Sequence, residues 1–220
     1  MAFENRAEAG RLLADRLACY RGQHPLVLAI PRGAVPMAKI VAAALDGDLD
    51  VVLVRKLGAP FNPELAIGSI DETGSVYLDP DTRYLWDEQY LLAEKQRQLE
   101  TLRLRRHLYD PAGLPVDVTG RTVIVVDDGV ATGSTMIAAL RSVRARHPAK
   151  LVAAAGVASA EALRLIGGEA DEVVCLETPP MLFAIGYHFR DFSQVSDNEV
   201  IRTLREARRP PAPTPAEAVS

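Results

Sequence analysis

One stretch, Val123 to Thr135, constrains the fold and chemistry of this chain more than any other. Four β-branched residues open it and predict a short buried strand. Asp127 and Asp128 follow directly, then a loop of small and hydroxyl-bearing residues, then an apolar-periodic segment that predicts a helix. Such loop amides and a helix N-terminus bind phosphate, whereas the carboxylates accept hydrogen bonds from sugar hydroxyls or bind a hard cation. The stretch therefore predicts a phosphate site with an acidic rim.

Two upstream stretches place positive charge after predicted strands. The loop Pro31-Arg32-Gly33 follows the apolar run 26–30, and the pair Arg55-Lys56 follows the apolar run 51–54. The glycine lets the backbone approach a ligand closely, and the arginine meets an anion with its planar fork. At the ends of parallel strands, both features would lie at the ligand-facing edge of an open sheet. An ordinary turn and solvated surface charges remain the alternatives.

The order of apolar runs and helical patterns indicates an α/β fold. About five strands alternate with helices, which predicts a doubly wound, mostly parallel sheet with flanking helices. The strands are predicted over 26–30, 51–54, 123–126, 150–158 and 172–176, and the helices over 4–21, 37–45, 135–146, 159–166 and 196–208.

Three segments depart from this alternation. Residues from about 59 to 82 lack a clear period and predict either a binding lid or an ordered hairpin. A long polar helix is predicted from about 86 to 109. Residues from about 181 to 195 are rich in aromatic side chains, which suit either a satellite core or a platform for a flat ligand. The predicted domain covers 1–208, and the Pro/Ala-rich tail 209–220 is expected to be disordered.

Composition narrows the classes of function. The net charge of −4 gives no support to general nucleic-acid binding, which needs a clearly basic surface. Cys19 and Cys175 are far apart, and we expect both to be small core residues in a reducing compartment. No apolar run is long enough to span a bilayer, and no signal-peptide pattern opens the chain. We therefore expect a cytoplasmic protein without membrane or nucleic-acid partners.

The stretch 123–135 resembles the motif by which type I phosphoribosyltransferases bind phosphoribosyl pyrophosphate. In that family four apolar residues precede two acidic residues and a loop that ends in Thr-Gly-x-Thr. The run Val123 to Val126, the pair Asp127-Asp128 and the loop end Thr132-Gly133-Ser134-Thr135 match each part in length, order and residue class.

The resemblance extends to most of the chain, from about residue 4 to 205. Pro31-Arg32-Gly33 is similar to the family's pyrophosphate loop, and Arg55-Lys56 is similar to the cation pair behind it. The segments 59–82 and 181–195 lie where the family has its small hood over the active site. The implied fold is that of a type I phosphoribosyltransferase.

The resemblance implies a transferase that moves phosphoribose from phosphoribosyl pyrophosphate to a nitrogenous base or related acceptor, with Mg²⁺ as cofactor and pyrophosphate as product. The implied catalytic residues, which stabilise the departing pyrophosphate, are Arg32, Arg55 and Lys56. The implied substrate-binding residues are Gly33, Asp127, Asp128, Gly129, Val130, Ala131, Thr132, Gly133, Ser134, Thr135 and Phe183, of which Phe183 would stack on the acceptor. The implied metal ligands are Asp127, Asp128 and Asp191.

The acceptor stays open, and so does a regulatory role. Relatives that use 6-oxopurines carry an acidic residue where this chain has Ala131, so the loop is more similar to that of adenine-using members, and a purine is one candidate. A homo-oligomer, most simply a dimer, is expected. The alternative is a non-catalytic or weakly catalytic nucleotide-sensing protein of the same fold. Its motivation is a set of arginines in the predicted long helix: Arg97, Arg103, Arg105 and Arg106.

Overall fold

A five-stranded parallel sheet forms the centre of the protein. The computed structural model describes residues 3–110 and 115–207, so the predicted tail 209–220 lies outside the described residues. The strand order is β2-β1-β6-β7-β8, and every pairing is parallel. The strands are β1 (Leu26–Ala29), β2 (Asp48–Val51), β6 (Thr122–Val130), β7 (Lys150–Ala158) and β8 (Glu172–Glu177). The predicted doubly wound fold is confirmed.

Helices cover both faces of this sheet and form two cores. They are α1 (Arg6–Arg16), α2 (Val35–Leu45), α3 (Glu88–Tyr109), α4 (Ser134–Arg144), α5 (Ala160–Ile166) and α6 (Asp197–Ala207), with short 3₁₀ helices at 18–20, 80–85 and 185–188. In β6, Ile124 and Val126 join the core beneath α1, α2, α3 and α6, whereas Val123 and Val125 join the core beneath α4 and α5. Burial on both faces explains the continuous apolar runs of these strands. In the described part of the chain, no helix is long and apolar enough to cross a lipid bilayer.

A second, antiparallel sheet follows β2 and corrects two predictions. Its strands are β3 (Val54–Ala59), β4 (Asn62–Asp71) and β5 (Val76–Leu78). The predicted parallel strand 51–54 joins the end of β2 to the start of β3, so Arg55 and Lys56 lie within β3 rather than at the end of a parallel strand. A continuous apolar run does not reveal the point at which the chain leaves one sheet for another. Residues 59–82 contain the ordered hairpin, the second of the two alternatives.

Two further boundaries differ from the prediction. Helix α1 ends at Arg16, and the next turn is 3₁₀, which leaves Cys19 exposed rather than in the core. Strand β6 does not end before the acidic pair, because its pairing with β7 continues as far as Val130 and Ala158. Gly129 and Val130 therefore belong to the strand, and the loop itself begins at Ala131.

A buried ion cluster fastens the long helix α3 to the main sheet. Arg106, only 6% exposed, donates from Nη1 to Asp50 Oδ1 at 2.8 Å and from Nη2 to Glu72 Oε1 at 2.6 Å. Nη2 also donates to the carbonyl oxygen of Val51 at 2.8 Å. For this basic helix the sequence predicted either a solvated face or a surface that binds a partner. Arg106 fits neither prediction, because it is buried in the ion cluster.

Candidate functional site

The pairing of β1 with β6 brings the two predicted ligand loops into contact. Ala29 and Val126 are register partners, so Pro31-Arg32-Gly33 and the acidic pair emerge side by side at the carboxyl edge of the sheet. The Pro31–Arg32 peptide bond is cis. A Cβ atom on Gly33 would lie 2.2 Å from Asp128 Oδ2 and 2.9 Å from its Cγ. Only glycine leaves room for the Asp128 carboxylate in this position.

The two adjacent carboxylates have different environments. The backbone N–H of Asp128 donates to Asp127 Oδ1 at 2.9 Å. Burial, together with the charge of Asp128, raises the pKa of Asp127 well above its usual range. Asp128 instead accepts a hydrogen bond from Arg6 Nε at 2.7 Å, with both side chains nearly buried. The pair therefore combines one carboxylate that forms an ion pair with an arginine and one whose ionisation is disfavoured by burial and by its neighbour.

Arg6 is a site residue that the sequence did not indicate. Its guanidinium carbon lies 3.9 Å from the centre of the Phe192 ring, and Nη1 donates to the carbonyl oxygen of Ser193 at 2.7 Å. The backbone N–H of Phe3 donates to His188 O at 2.8 Å, which ties the start of the chain to the segment after residue 185. The contact between Arg6 and Asp128 spans 122 positions, and no local motif predicts such a contact.

The loop after β6 has the features of an anion site. Gly133, at φ +84°, caps helix α4, which begins at Ser134 and has no acidic residue in its first turn. The hydroxyl oxygens of Thr132 and Ser134 lie 3.2 Å apart, and both residues are exposed. Ser159 Oγ donates to the carbonyl oxygen of Ala131 at 2.8 Å, which fixes the start of the loop. Free amides and the positive end of the helix dipole favour a phosphate here.

Two adjoining cavities open on these loops. The first, of about 510 Å³, lies at the acidic pair, and the second, of about 420 Å³, lies between β3 and helix α3. Ile30, Pro31 and Thr135 line both cavities. Lining residues of the first include Arg6, Arg32, Gly33, Asp127, Asp128 and Phe192, and those of the second include Arg55, Lys56, Glu94, Arg97, Thr101 and Arg105. Of the predicted catalytic residues, Arg32 therefore lines the first cavity, and Arg55 and Lys56 line the second. The wall between the cavities is formed by the three residues that line both.

Phe183 and Asp191, two of the predicted site residues, line neither cavity. Phe183 is 78% exposed, so its predicted role in stacking on an acceptor remains a prediction. Two positions later, Ile185 covers Gly129, where a Cβ atom would lie 2.1 Å from Ile185 Cγ2. Asp191 Oδ1 accepts from the backbone N–H of Ser193 at 2.9 Å and from its hydroxyl. These hydrogen bonds, with the Ser193 hydroxyl first, lower the pKa of Asp191.

Only part of the predicted metal set lies at the first cavity. Asp127 and Asp128 line it, and both offer carboxylate oxygens, the donors that Mg²⁺ prefers. Over the ranges 3–110 and 115–207, no group of three or more His, Cys, Asp or Glu side chains has a metal-binding arrangement. Since Mg²⁺ is commonly held by one or two carboxylates together with substrate phosphates, the acidic pair suits that mode rather than a closed protein cage.

The sheet and the loops at its carboxyl edge define an open-sheet α/β protein with an acidic pair beside a loop and helix N-terminus suited to an anion. Residues 3–188 match the model of the phosphoribosyl transferase domain, and the chain belongs to that family. The resemblance seen in the stretch 123–135 is thereby confirmed.

Relatives match this chain over nearly all of its length. Two proteins of Mycobacterium tuberculosis, from strains CDC 1551 and H37Rv, are each 43% identical over 210 residues, and their names assign them provisionally to the phosphoribosyl transferases. The match covers 94% of this chain and 47% of theirs, so the chain spans about half the length of these curated relatives. The crystal structure of TT1426 from Thermus thermophilus has a TM-score of 0.87 at 44% identity, covering 94% of this chain and 99% of that one.

Proposed function

We propose that the protein transfers phosphoribose from phosphoribosyl pyrophosphate to a nitrogenous base or a related acceptor. The observation that carries this proposal is the shared wall between an acidic-pair cavity and a cation-lined cavity, with Thr135 of the first turn of α4 lining both. A sugar that carries phosphate at one position and pyrophosphate at another has matching chemistry. The family membership supports the same reaction class.

The acidic pair would recognise the ribose. Asp127 and Asp128 accept hydrogen bonds from the 2- and 3-hydroxyls, and hydrogen bonds to charged carboxylates are among the stronger ones. Arg6 and Gly33 hold the Asp128 carboxylate in place from two sides. The amides and hydroxyls from Ala131 to Thr135 would bind the 5-phosphate at the N-terminus of α4.

The cations would stabilise the leaving group. Arg32 lines the acidic-pair cavity and Arg55 and Lys56 line the adjoining one, and all three would meet the negative charge that develops on the departing pyrophosphate. The C1 atom becomes oxocarbenium-like as this bond breaks, and the acceptor nitrogen attacks from the opposite face. Catalysis by this chain therefore consists of positioning and electrostatic stabilisation, without a covalent enzyme intermediate.

Mg²⁺ fits the donor set of the acidic pair. Asp127 and Asp128 would hold it with substrate oxygens, and the ion would neutralise phosphate charge when bound. A cation beside Asp127 also relieves the unfavourable ionisation that burial and Asp128 impose on this carboxyl. Asp191, the third ligand that the resemblance implied, does not line this cavity, and its carboxylate accepts two hydrogen bonds from Ser193.

The acceptor is proposed to be a base such as a purine, with adenine the first to test because this chain has Ala131 where relatives that use 6-oxopurines carry an acidic residue. The test is release of pyrophosphate from phosphoribosyl pyrophosphate and Mg²⁺ across a panel of purine and pyrimidine bases. We expect release with at least one base and binding of the sugar pyrophosphate without any base. Absence of both turnover and calorimetric binding would contradict the proposal.

A further inference from the structure

Helix α3 forms one wall of the second cavity and presents a basic face to it. Arg97, Thr101 and Arg105 are spaced four residues apart, so they lie on the same side of the helix, and all three line the cavity. Across from them, Arg55 and Lys56 of β3 line the same space. Four cationic side chains therefore surround a cavity of about 420 Å³.

The helix is fixed at both ends of this wall. Near its N-terminus, Tyr90 donates its hydroxyl to the carbonyl oxygen of Gly58 at 2.7 Å. Near its C-terminus, Arg106 is buried in the ion cluster with Asp50 and Glu72, immediately after Arg105. The two cavity arginines are thus carried on an anchored element, which reduces the entropy lost when they bind a ligand.

One carboxylate also faces this cavity, and its charge is already compensated. Glu94 is 4% exposed, and its Oε1 accepts from Gln98 Nε2 at 2.9 Å, while its Oε2 accepts from Arg97. This pairing orients Arg97 along the cavity wall. With four cations against one acid, the lining keeps an excess of positive charge, as a ligand with several negative charges requires.

We infer that Arg97 and Arg105 bind the pyrophosphate group of the sugar substrate and of the released product, in addition to Arg32, Arg55 and Lys56. The identity of this ligand rests on the proposed function. The cavity adjoins the acidic pair through Ile30, Pro31 and Thr135, so one molecule can reach both places. Guanidinium forks match phosphate oxygens in pairs, and two arginines provide one fork for each phosphate group of a diphosphate.

The test is calorimetric titration of inorganic pyrophosphate, in buffer with Mg²⁺, into the wild type, Arg97→Gln, Arg105→Gln and the double variant. Arg103→Gln is the matched control, because Arg103 lies on the same helix, is exposed and does not line the cavity. Glutamine has nearly the helix propensity of arginine, so thermal melting should be unchanged in Arg103→Gln and Arg105→Gln, whereas Arg97→Gln removes a partner of the buried Glu94 and should lower the melting temperature. We expect each cavity substitution to weaken binding about tenfold and the double variant about a hundredfold. The control should stay within about twofold.

Two outcomes would overturn the inference: equal pyrophosphate affinity in the double variant and the wild type, or no measurable binding by the wild type. Asp128→Asn separates this result from the proposed function. Asp128 lies outside the second cavity's lining, so its substitution should weaken binding of phosphoribosyl pyrophosphate far more than binding of inorganic pyrophosphate measured without Mg²⁺. A different result would contradict the proposed function rather than this inference. In that result, pyrophosphate binding depends on Arg97 and Arg105, but Asp128→Asn binds phosphoribosyl pyrophosphate as tightly as the wild type.

Discussion

At the scale of single residues, the site depends on how closely Gly33 approaches Asp128. The two residues come from loops that follow different strands, yet there is no space between them for a methyl group. Asp128 cannot retreat freely, because Arg6 holds its carboxylate and Phe192 packs against Arg6. The glycine of the upstream loop therefore sets the position of the carboxylate that we assign to the ribose.

Gly33→Ala tests this contact. The added methyl group should push the Asp128 carboxylate from Arg6, weaken binding of phosphoribosyl pyrophosphate about tenfold and lower the free energy of unfolding by about 1–3 kcal/mol. Calorimetry and urea denaturation measure the two effects. Gly168→Ala is the control, since the nearest atom to its Cβ, Leu165 O, lies at an ordinary 3.6 Å. If Gly33→Ala and Gly168→Ala changed ligand affinity and the free energy of unfolding equally, the proposed role of Gly33 in positioning Asp128 would be contradicted.

The raised pKa of Asp127 predicts a pH dependence. Because this pKa in the folded protein lies above the unfolded value of about 4, the folded state binds more protons, and the free energy of unfolding falls as the pH rises through the raised pKa. Asp127→Asn should remove this component. Urea denaturation at a series of pH values should show the stability of the variant gaining on the wild type as the pH rises. If the free energy of unfolding changed with pH in the same way in the wild type and in Asp127→Asn, the raised pKa of Asp127 would be contradicted.

At the scale of elements, the parallel sheet was predictable and the second sheet was not. Strands buried on both faces leave continuous apolar runs, and each such run outside 51–54 corresponds to a strand of the main sheet. The run 51–54 was misassigned because burial continues across the change of sheet, from Val51 through Leu53. Helix α3 was predicted in place, but its role was not, since the burial of Arg106 depends on partners 34 and 56 positions away.

Arg106→Met should destabilise the protein strongly. The substitution leaves Asp50 and Glu72 buried without their cation, and loss of one partner from a buried ion pair costs about 3–5 kcal/mol. Burial alone already raises the pKa of Glu72, and Arg106 opposes that shift. The measurement is the free energy of unfolding in urea.

Arg103→Met on the exposed side of the same helix serves as its control and should change the free energy of unfolding by at most about 0.5 kcal/mol. A similar small change in Arg106→Met would mean that the ion cluster does not anchor α3.

At the scale of the whole molecule, the site is assembled from distant parts of the chain. The motif residues from Asp127 to Thr135 were predictable, because their spacing is local and their residue classes follow from phosphate and ribose chemistry. Arg6 and Arg105 were not predictable as site residues, because tertiary packing alone brings α1 and α3 to the cavities. The acceptor side depends on segments such as 181–195, where aromatic composition does not fix which ring faces a ligand.

The acidic pair is proposed to bind the ribose of phosphoribosyl pyrophosphate. The most direct measurement is calorimetric titration of this compound, with Mg²⁺, into the wild type, Asp128→Asn and Cys175→Ala. We predict that Asp128→Asn weakens binding at least about tenfold, because hydrogen bonds to a charged group are lost, while Cys175→Ala binds like the wild type. Equal binding by both variants, or no binding by the wild type, would contradict the account.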